Sequence, residues 1–319
     1  IESIEGILRH PILQNIDHCQ SFTAKSYFLR IKAVCFYSLG SYREQLSTCQ
    51  THLNLFQEHE AMIGEYLSSY VKTLFNLIYA AIKVQDIATA RSFLGLLNEV
   101  PDSYGEKMSF FLRSHLFETS ALLKMQLYAS EANFSSILHM VPEVEANIKT
   151  YKLILESDFL AEIWFTIAKA FFQSQKYGDS LKFTSYILNM EKSHLNFSIF
   201  CLARLLRLMI YWEQRERELM VSSIRATSRF LQKHDRFFPT EKSILQAFSK
   251  LVKSKNRIES ARIFLAFQEL LSEIMLDPNE MKFLELIDIK AWVVQQYQAL
   301  QNRAKTSLPK AKTSCINFS

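Results

Sequence analysis

Apolar residues recur at intervals of three and four along nearly the whole chain and do not alternate by two over a strand's length, so the pattern predicts helix after helix. The periodic runs cover 21–39, 42–58, 61–84, 87–99, 106–125, 128–141, 154–174, 177–191, 196–213, 216–234, 240–254, 257–275 and 280–305, with a short helix near 2–14 before them. Proline or glycine punctuates the runs at Gly40, Pro101-Asp102, Pro142, Phe238-Pro239-Thr240 and Asp277-Pro278-Asn279. Short connections make successive helices antiparallel neighbours, which gives a chain of helical hairpins. Residues 307–319 mix Ser, Thr, Lys and Pro309 without period and are expected to form a flexible tail.

Four hairpins align on their turns: Leu39-Gly40-Ser41-Tyr42, Val84-Gln85-Asp86-Ile87, Met125-Gln126-Leu127-Tyr128 and Ser174-Gln175-Lys176-Tyr177. The fourth is the most telling. Trp164-Phe165-Thr166-Ile167-Ala168-Lys169-Ala170-Phe171, followed by Tyr177 and Ser180-Leu181, resembles the tetratricopeptide repeat, whose order is an aromatic, a small residue, an aromatic, a turn, Tyr, then a small residue. A small residue such as Ala168 lets two helices approach, while Phe171 and Tyr177 fill the holes of the neighbouring helix. Gln45 and Glu131 stand where the family usually has Ala, and the turns lie more than 34 residues apart. Farther on, Ala203-Arg204-Leu205-Leu206, Arg225-Ala226-Thr227-Ser228-Arg229-Phe230-Leu231 and Asp288-Ile289-Lys290-Ala291-Trp292 resemble a group of uncharacterised bacterial tetratricopeptide-like proteins. The resemblance implies an all-α fold of antiparallel hairpins stacked as a right-handed superhelical solenoid. One array would span 1–306, with the clearest repeats at 21–191, divergent repeats at 196–275, and a capping helix at 280–305 that turns Trp292 inward.

Composition narrows the class. Six glycines and six prolines are too few for the turns of a sheet-rich fold, and the scattered glycines leave no phosphate-cradling loop. The greasiest stretch, Ile199 to Trp212, is interrupted by Arg204 and Arg207, so no membrane-spanning segment is expected. The start, Ile1-Glu2-Ser3-Ile4-Glu5, has neither an initiator methionine nor a basic-then-apolar leader, which fits a fragment or processed form. The five cysteines are odd in number and scattered through apolar helices, which fits a reducing, cytoplasmic setting and argues against a disulfide framework.

Candidate chemistry is sparse. Glu191 and His194 have the spacing of a helical carboxylate–imidazole pair, but a dinuclear metal site needs a second such pair and none is present, so they read as a solvated helix end. Cys49 and His52, one turn apart, read as core. No signature singles out a nucleophile with its base. The chain is therefore expected to be non-enzymatic, with no cofactor and no metal.

Charge says more. Between Phe197 and Arg257, thirteen Lys or Arg face five Asp or Glu, while the whole chain carries only +5, so the remainder is slightly acidic. Arg225, Arg229 and Lys233 fall on one helical stripe, either a solvated face or a surface for an anion. In tetratricopeptide repeats the first helix of each hairpin lines the concave groove. That correspondence implies Tyr27, Arg30 and Tyr37; Lys72, Phe75, Tyr79 and Lys83; Arg113 and Lys124; and Phe165, Lys169 and Phe172. Interleaved cations and rings suit an extended acidic peptide, and the same rings would equally suit a tight core. The reading is a protein-interaction scaffold that holds a peptide or protein segment. Nucleic-acid or other polyanion binding through 197–257, and a sensor domain of a larger regulatory protein, stand as alternatives.

Overall fold

The computed structural model describes residues 2–190, 197–233 and 239–306, and among them every regular element is helical. The chain forms two compact units, Ile1–Ser174 and Gln175–Ser319. The first contains α1 (Glu2–Leu8), α2 (Phe22–Leu39), α3 (Tyr42–Glu58), α4 (Ala61–Glu65), α5 (Leu67–Lys83), α6 (Ile87–Tyr104), α7 (Phe110–Ser130), α8 (Phe134–Tyr151) and α9 (Ser157–Gln173). The second contains α10 (Tyr177–Leu188), α11 (Phe197–Glu213), α12 (Arg217–Lys233), α13 (Pro239–Lys253), α14 (Arg257–Ile274), α15 (Pro278–Glu285) and α16 (Ile289–Thr306). Successive helices pack in pairs. In the first unit, α5 also touches α7, and α7 touches α9, so first helices of hairpins lie side by side.

One device closes the hairpins. Gly40, Gln85, Ala132, Gln175 and Arg215 all adopt positive φ, between 53° and 71°. At Gly40, the N–H donates to Tyr37 O (3.0 Å) and the following N–H of Ser41 to Phe36 O (2.9 Å), which satisfies carbonyls left over at the end of α2. Gln85 with Asp86, Ala132 with Asn133, and Arg215 with Glu216 repeat the arrangement. Asp86 and Asn133 then cap the next helix, accepting from the N–H of Thr89 (3.1 Å) and Ser136 (3.2 Å). Only one of these five turns carries glycine, the residue for which this conformation is free of strain.

The third turn thus lies at Glu131–Asn133, while Met125-Gln126-Leu127-Tyr128 is inside α7. Counted from the left-handed residues, the positions five further on are Gln45, Ala90, Ile137, Ser180 and Met220, none more than 1% exposed. The positions seven before are Ala33, Ile78, Met125, Ala168 and Leu208, none above 4%. Those are the interlocking sites between helices, and Met125 is one of them. Glu131 belongs to the turn, where it pairs with Arg91 of α6.

Proline is a poor guide to the boundaries elsewhere. α6 runs through Pro101 and α8 through Pro142. Both prolines are exposed, where water compensates the carbonyl that loses its N–H partner. Conversely, the run 61–84 breaks at Tyr66, 280–305 breaks at Asp288 with φ +55°, and α1 ends at Leu8.

The core of the first unit centres on α5, where Val71, Leu74, Leu77, Ile78 and Ala81 are fully buried against Leu53, Phe56, Ala90 and Leu97. In the second unit α11 is enclosed on nearly every side, with Ile199 to Leu206 and Leu208 to Ile210 all buried. α16 covers α14. Trp292 turns inward onto Phe248 and Phe264, with ring centres 5.9 and 5.7 Å away. Its indole N–H donates to Glu213 Oε1 at 2.7 Å.

Candidate functional site

α2 is the first long helix of its unit, and one side of it is uncovered. Tyr27 (57% exposed), Ile31, Val34 (58%) and Tyr37 follow one another at three- and four-residue steps along that side. Exposed apolar residues of this size grouped on one helix face mark an interaction surface more often than scattered ones do. Arg30 is exposed within the stripe, its guanidinium carbon 5.5 Å from the centre of the Tyr27 ring.

α5 continues the face. The Tyr79 ring lies 5.5 Å from Tyr37 and 6.0 Å from Tyr42. Burial, then the neighbouring phenols, pushes the Tyr79 hydroxyl well above the usual tyrosine range. Lys83 Nζ sits 5.3 Å from the same ring. Lys72 is exposed and shares with Arg30 a hollow of about 230 Å³ that includes Glu65 and Tyr66. Phe75, in contrast, is buried in the core, its ring edge-on to His115.

The register of α7 brings a different set of side chains beside α5 from the one the repeat alignment implies. Arg113 and Lys124 lie on another side of the helix, around a hollow of about 290 Å³ with Asn98 and Pro101 of α6 and Glu143 and Asn147 of α8. Arg113 is also committed to the chain before α7, donating to Gly105 O at 2.6 Å. Beside Lys72 stand instead His115 and Glu118 of α7 and Glu156, which together line a cavity of about 570 Å³. Burial, then the Lys72 charge, lowers the His115 pKa. Burial, then Glu156, raises that of Glu118. On α9, burial and then Asp158 raise Glu162, opposed by Lys83. Phe165 and Phe172 are buried and Lys169 is half-buried. The face is therefore aromatic and cationic on α2 and α5 and acidic on α7 and α9. His115, Glu118 and Glu156 are not legible from the sequence as members of it, because a turn set too early rotates α7.

The remaining candidates resolve simply. Cys49 is buried, its thiol pushed up to about 12 by burial. His52 is 3% exposed and bridges Ser26 Oγ (2.8 Å to Nε2) and Thr73 Oγ1 (2.9 Å to Nδ1), its pKa pulled down to about 4 by burial and then by Arg30. That pair is packing, with both ring nitrogens satisfied. Glu191 and His194 lie outside the described residues. Among the described residues no group of three or more His, Cys, Asp or Glu is placed to hold a metal ion, and no helix is long and apolar enough to cross a membrane.

Of the basic segment, Arg225, Arg229 and Lys233 are exposed along α12 and make no ion pair with the described residues. Two of its arginines point inward. Arg204 is 8% exposed, its guanidinium carbon 4.1 Å from the centre of the Phe230 ring; burial, then Arg207, lowers its pKa to about 10. Arg207 Nε donates to Ser223 Oγ at 3.3 Å.

The arrangement of helices has a solved counterpart. The chain shares its fold with the apo form of RapI. That crystal structure matches over 96% of this chain and 80% of its own, with a TM-score of 0.60 and 11% sequence identity. At that identity the likeness concerns the fold alone. No family model and no curated protein matches the sequence.

Proposed function

We propose that the chain is a non-catalytic scaffold of the tetratricopeptide type, and that α2 and α5 hold an acidic peptide or protein segment. The observation that carries this reading is the uncovered stripe of Tyr27, Ile31, Val34 and Tyr37, flanked by Arg30 and Lys83. Rigid rings supply contact area at small entropic cost, and exposed cations beside them fix carboxylates. The acidic side chains of α7 and α9 set the polarity of the bound segment: its carboxylates belong over α2 and α5.

The test is affinity capture from native lysate, repeated after nuclease treatment and at two salt concentrations. Arg30→Glu with Lys83→Glu should abolish recovery of a nuclease-resistant protein partner. Arg113→Glu with Lys124→Glu, on the other side of α7, should leave recovery unchanged. Equal loss in both variants would remove the reading.

A second reading rests on the exposed Arg225, Arg229 and Lys233 stripe, which fits a polyanion such as nucleic acid. Recovery of nucleic acid that disappears at higher salt, and with Arg225→Glu/Arg229→Glu, would favour it.

A further inference from the structure

In the second unit, the turn joining α11 to α12 and the turn joining α13 to α14 come together beside α16 around a cavity of about 490 Å³. Each turn contributes two cations, Arg215 and Arg217 from one and Lys255 and Arg257 from the other. All four are exposed, and none makes an ion pair with the described residues.

Of the acids nearby only Glu213 lines the cavity, so the lining carries four cations against one carboxylate. Glu213 Oε1 accepts from Trp292 Nε1 and Gln296 Nε2, both at 2.7 Å, and so belongs to the wall. Glu259 accepts the Lys255 backbone N–H at 2.7 Å. Glu216, exposed between Arg215 and Arg217, and Glu218, in the first turn of α12, do not line the cavity. Arg217 and Arg257 are moreover the first residues of helices of 17 and 18 residues. That is the end at which the peptide dipoles already sum to positive charge and where a cation is disfavoured. Four cations against one lining carboxylate, with two helix starts, leave net positive potential in one concavity.

The wall is of a different character. Tyr211, Trp212, Met220 and Leu300 give it ring and apolar surface. The Trp212 indole is held in place by donating to Gln296 Oε1 at 3.0 Å and by an edge-on contact with Phe264 at 5.2 Å. Volume, apolar wall surface and a few convergent polar groups are the properties of small-molecule sites.

We infer that this cavity binds a small organic polyanion, with two or more negative charges held by Arg215, Arg217, Lys255 and Arg257 and a ring or apolar body set against Trp212. The inference is independent of the α2–α5 face.

The full chain is titrated with inorganic pyrophosphate, citrate and a nucleoside diphosphate, each to roughly 10 mM at constant ionic strength, a ceiling that detects binding a little weaker than 1 mM. Tryptophan emission and melting temperature are followed together. The expected result is saturable quenching and a higher melting temperature, with the nucleoside diphosphate tighter than pyrophosphate because only it offers a ring. Trp212→Phe should remove most of the optical change while the thermal shift persists. Arg217→Gln with Arg257→Gln should weaken binding at least about tenfold, the loss of one charge-assisted hydrogen bond or more. Arg225→Gln with Arg229→Gln, away from the cavity, should bind normally. Circular dichroism confirms that each variant folds. Absence of saturation with all three probes, or undiminished binding by the folded Arg217→Gln/Arg257→Gln variant, overturns the inference.

Discussion

α2 and α11 occupy equivalent places, each the first helix of a hairpin closed by a left-handed residue, yet one shows its apolar side to solvent and the other hides nearly everything. α2 exposes Tyr27, Ile31, Val34 and Tyr37. α11 buries every position from Ile199 to Ile210 except the half-buried Arg207, and Arg204 goes in with them. Both helices are apolar around much of their circumference, so periodicity alone does not say which side is covered. Packing decides it: α11 lies against α10 and α12, while the side of α2 that carries Tyr27, Ile31, Val34 and Tyr37 stays exposed. That uncovered apolar side is the reason the proposed binding reading falls on α2.

The sharpest way to break the comparison is truncation. Leu208→Ala, at a fully buried position of α11, should cost about 2–5 kcal/mol, whereas Val34→Ala on α2 should stay within about 0.5 kcal/mol, both read from urea unfolding. Comparable losses would mean that the α2 stripe is structural.

The polar interiors differ as well. His52, in the first unit, is satisfied on both nitrogens and held neutral. Its folded pKa of about 4 lies below the ordinary 6.5, so the unfolded chain binds the extra proton first. The stability it confers is complete above pH 6.5 and falls as the pH drops toward 4, by about 3 kcal/mol in total. In His52→Gln, unfolding free energies measured across that window should lose this slope.

Arg204 is the opposite case, a buried cation whose Nε has no partner. Arg204→Met keeps the volume and removes the desolvated charge, so it should raise stability by about 1 kcal/mol or more. A loss instead would show that its contact with Phe230 outweighs the desolvation.

The smallest effect belongs to the turns. Ala132→Gly should relieve left-handed strain and raise stability by at most about 1 kcal/mol, while the same change at Ala129, within α7, should lower it by a similar amount.

These turns also explain why some of the fold is legible in the sequence and some is not. Helix periodicity is readable, and so are Ala168 and Ser180, small residues each fully buried in its own unit. Gly40 is readable because only glycine adopts that conformation freely. Gln85, Gln175 and Arg215 adopt it without announcing it, and Ala132 lies where no turn residue draws attention. The residue pattern accordingly sets the third hairpin about six residues early, which brings Arg113 and Lys124 onto the wrong side of α7 and hides His115 and Glu118. Pro101 and Pro142 look like boundaries but are not, because tertiary packing of the other face of each helix outweighs the hydrogen bond that an exposed proline removes.

The most direct test of α2 as the binding face compares Tyr27→Ser/Val34→Ser with the unmodified chain, measuring melting temperature and captured protein partner side by side. The account predicts that the partner is lost while the melting temperature hardly moves. A lower melting temperature with the partner still bound would contradict it, and would make the exposed stripe of α2 part of the fold.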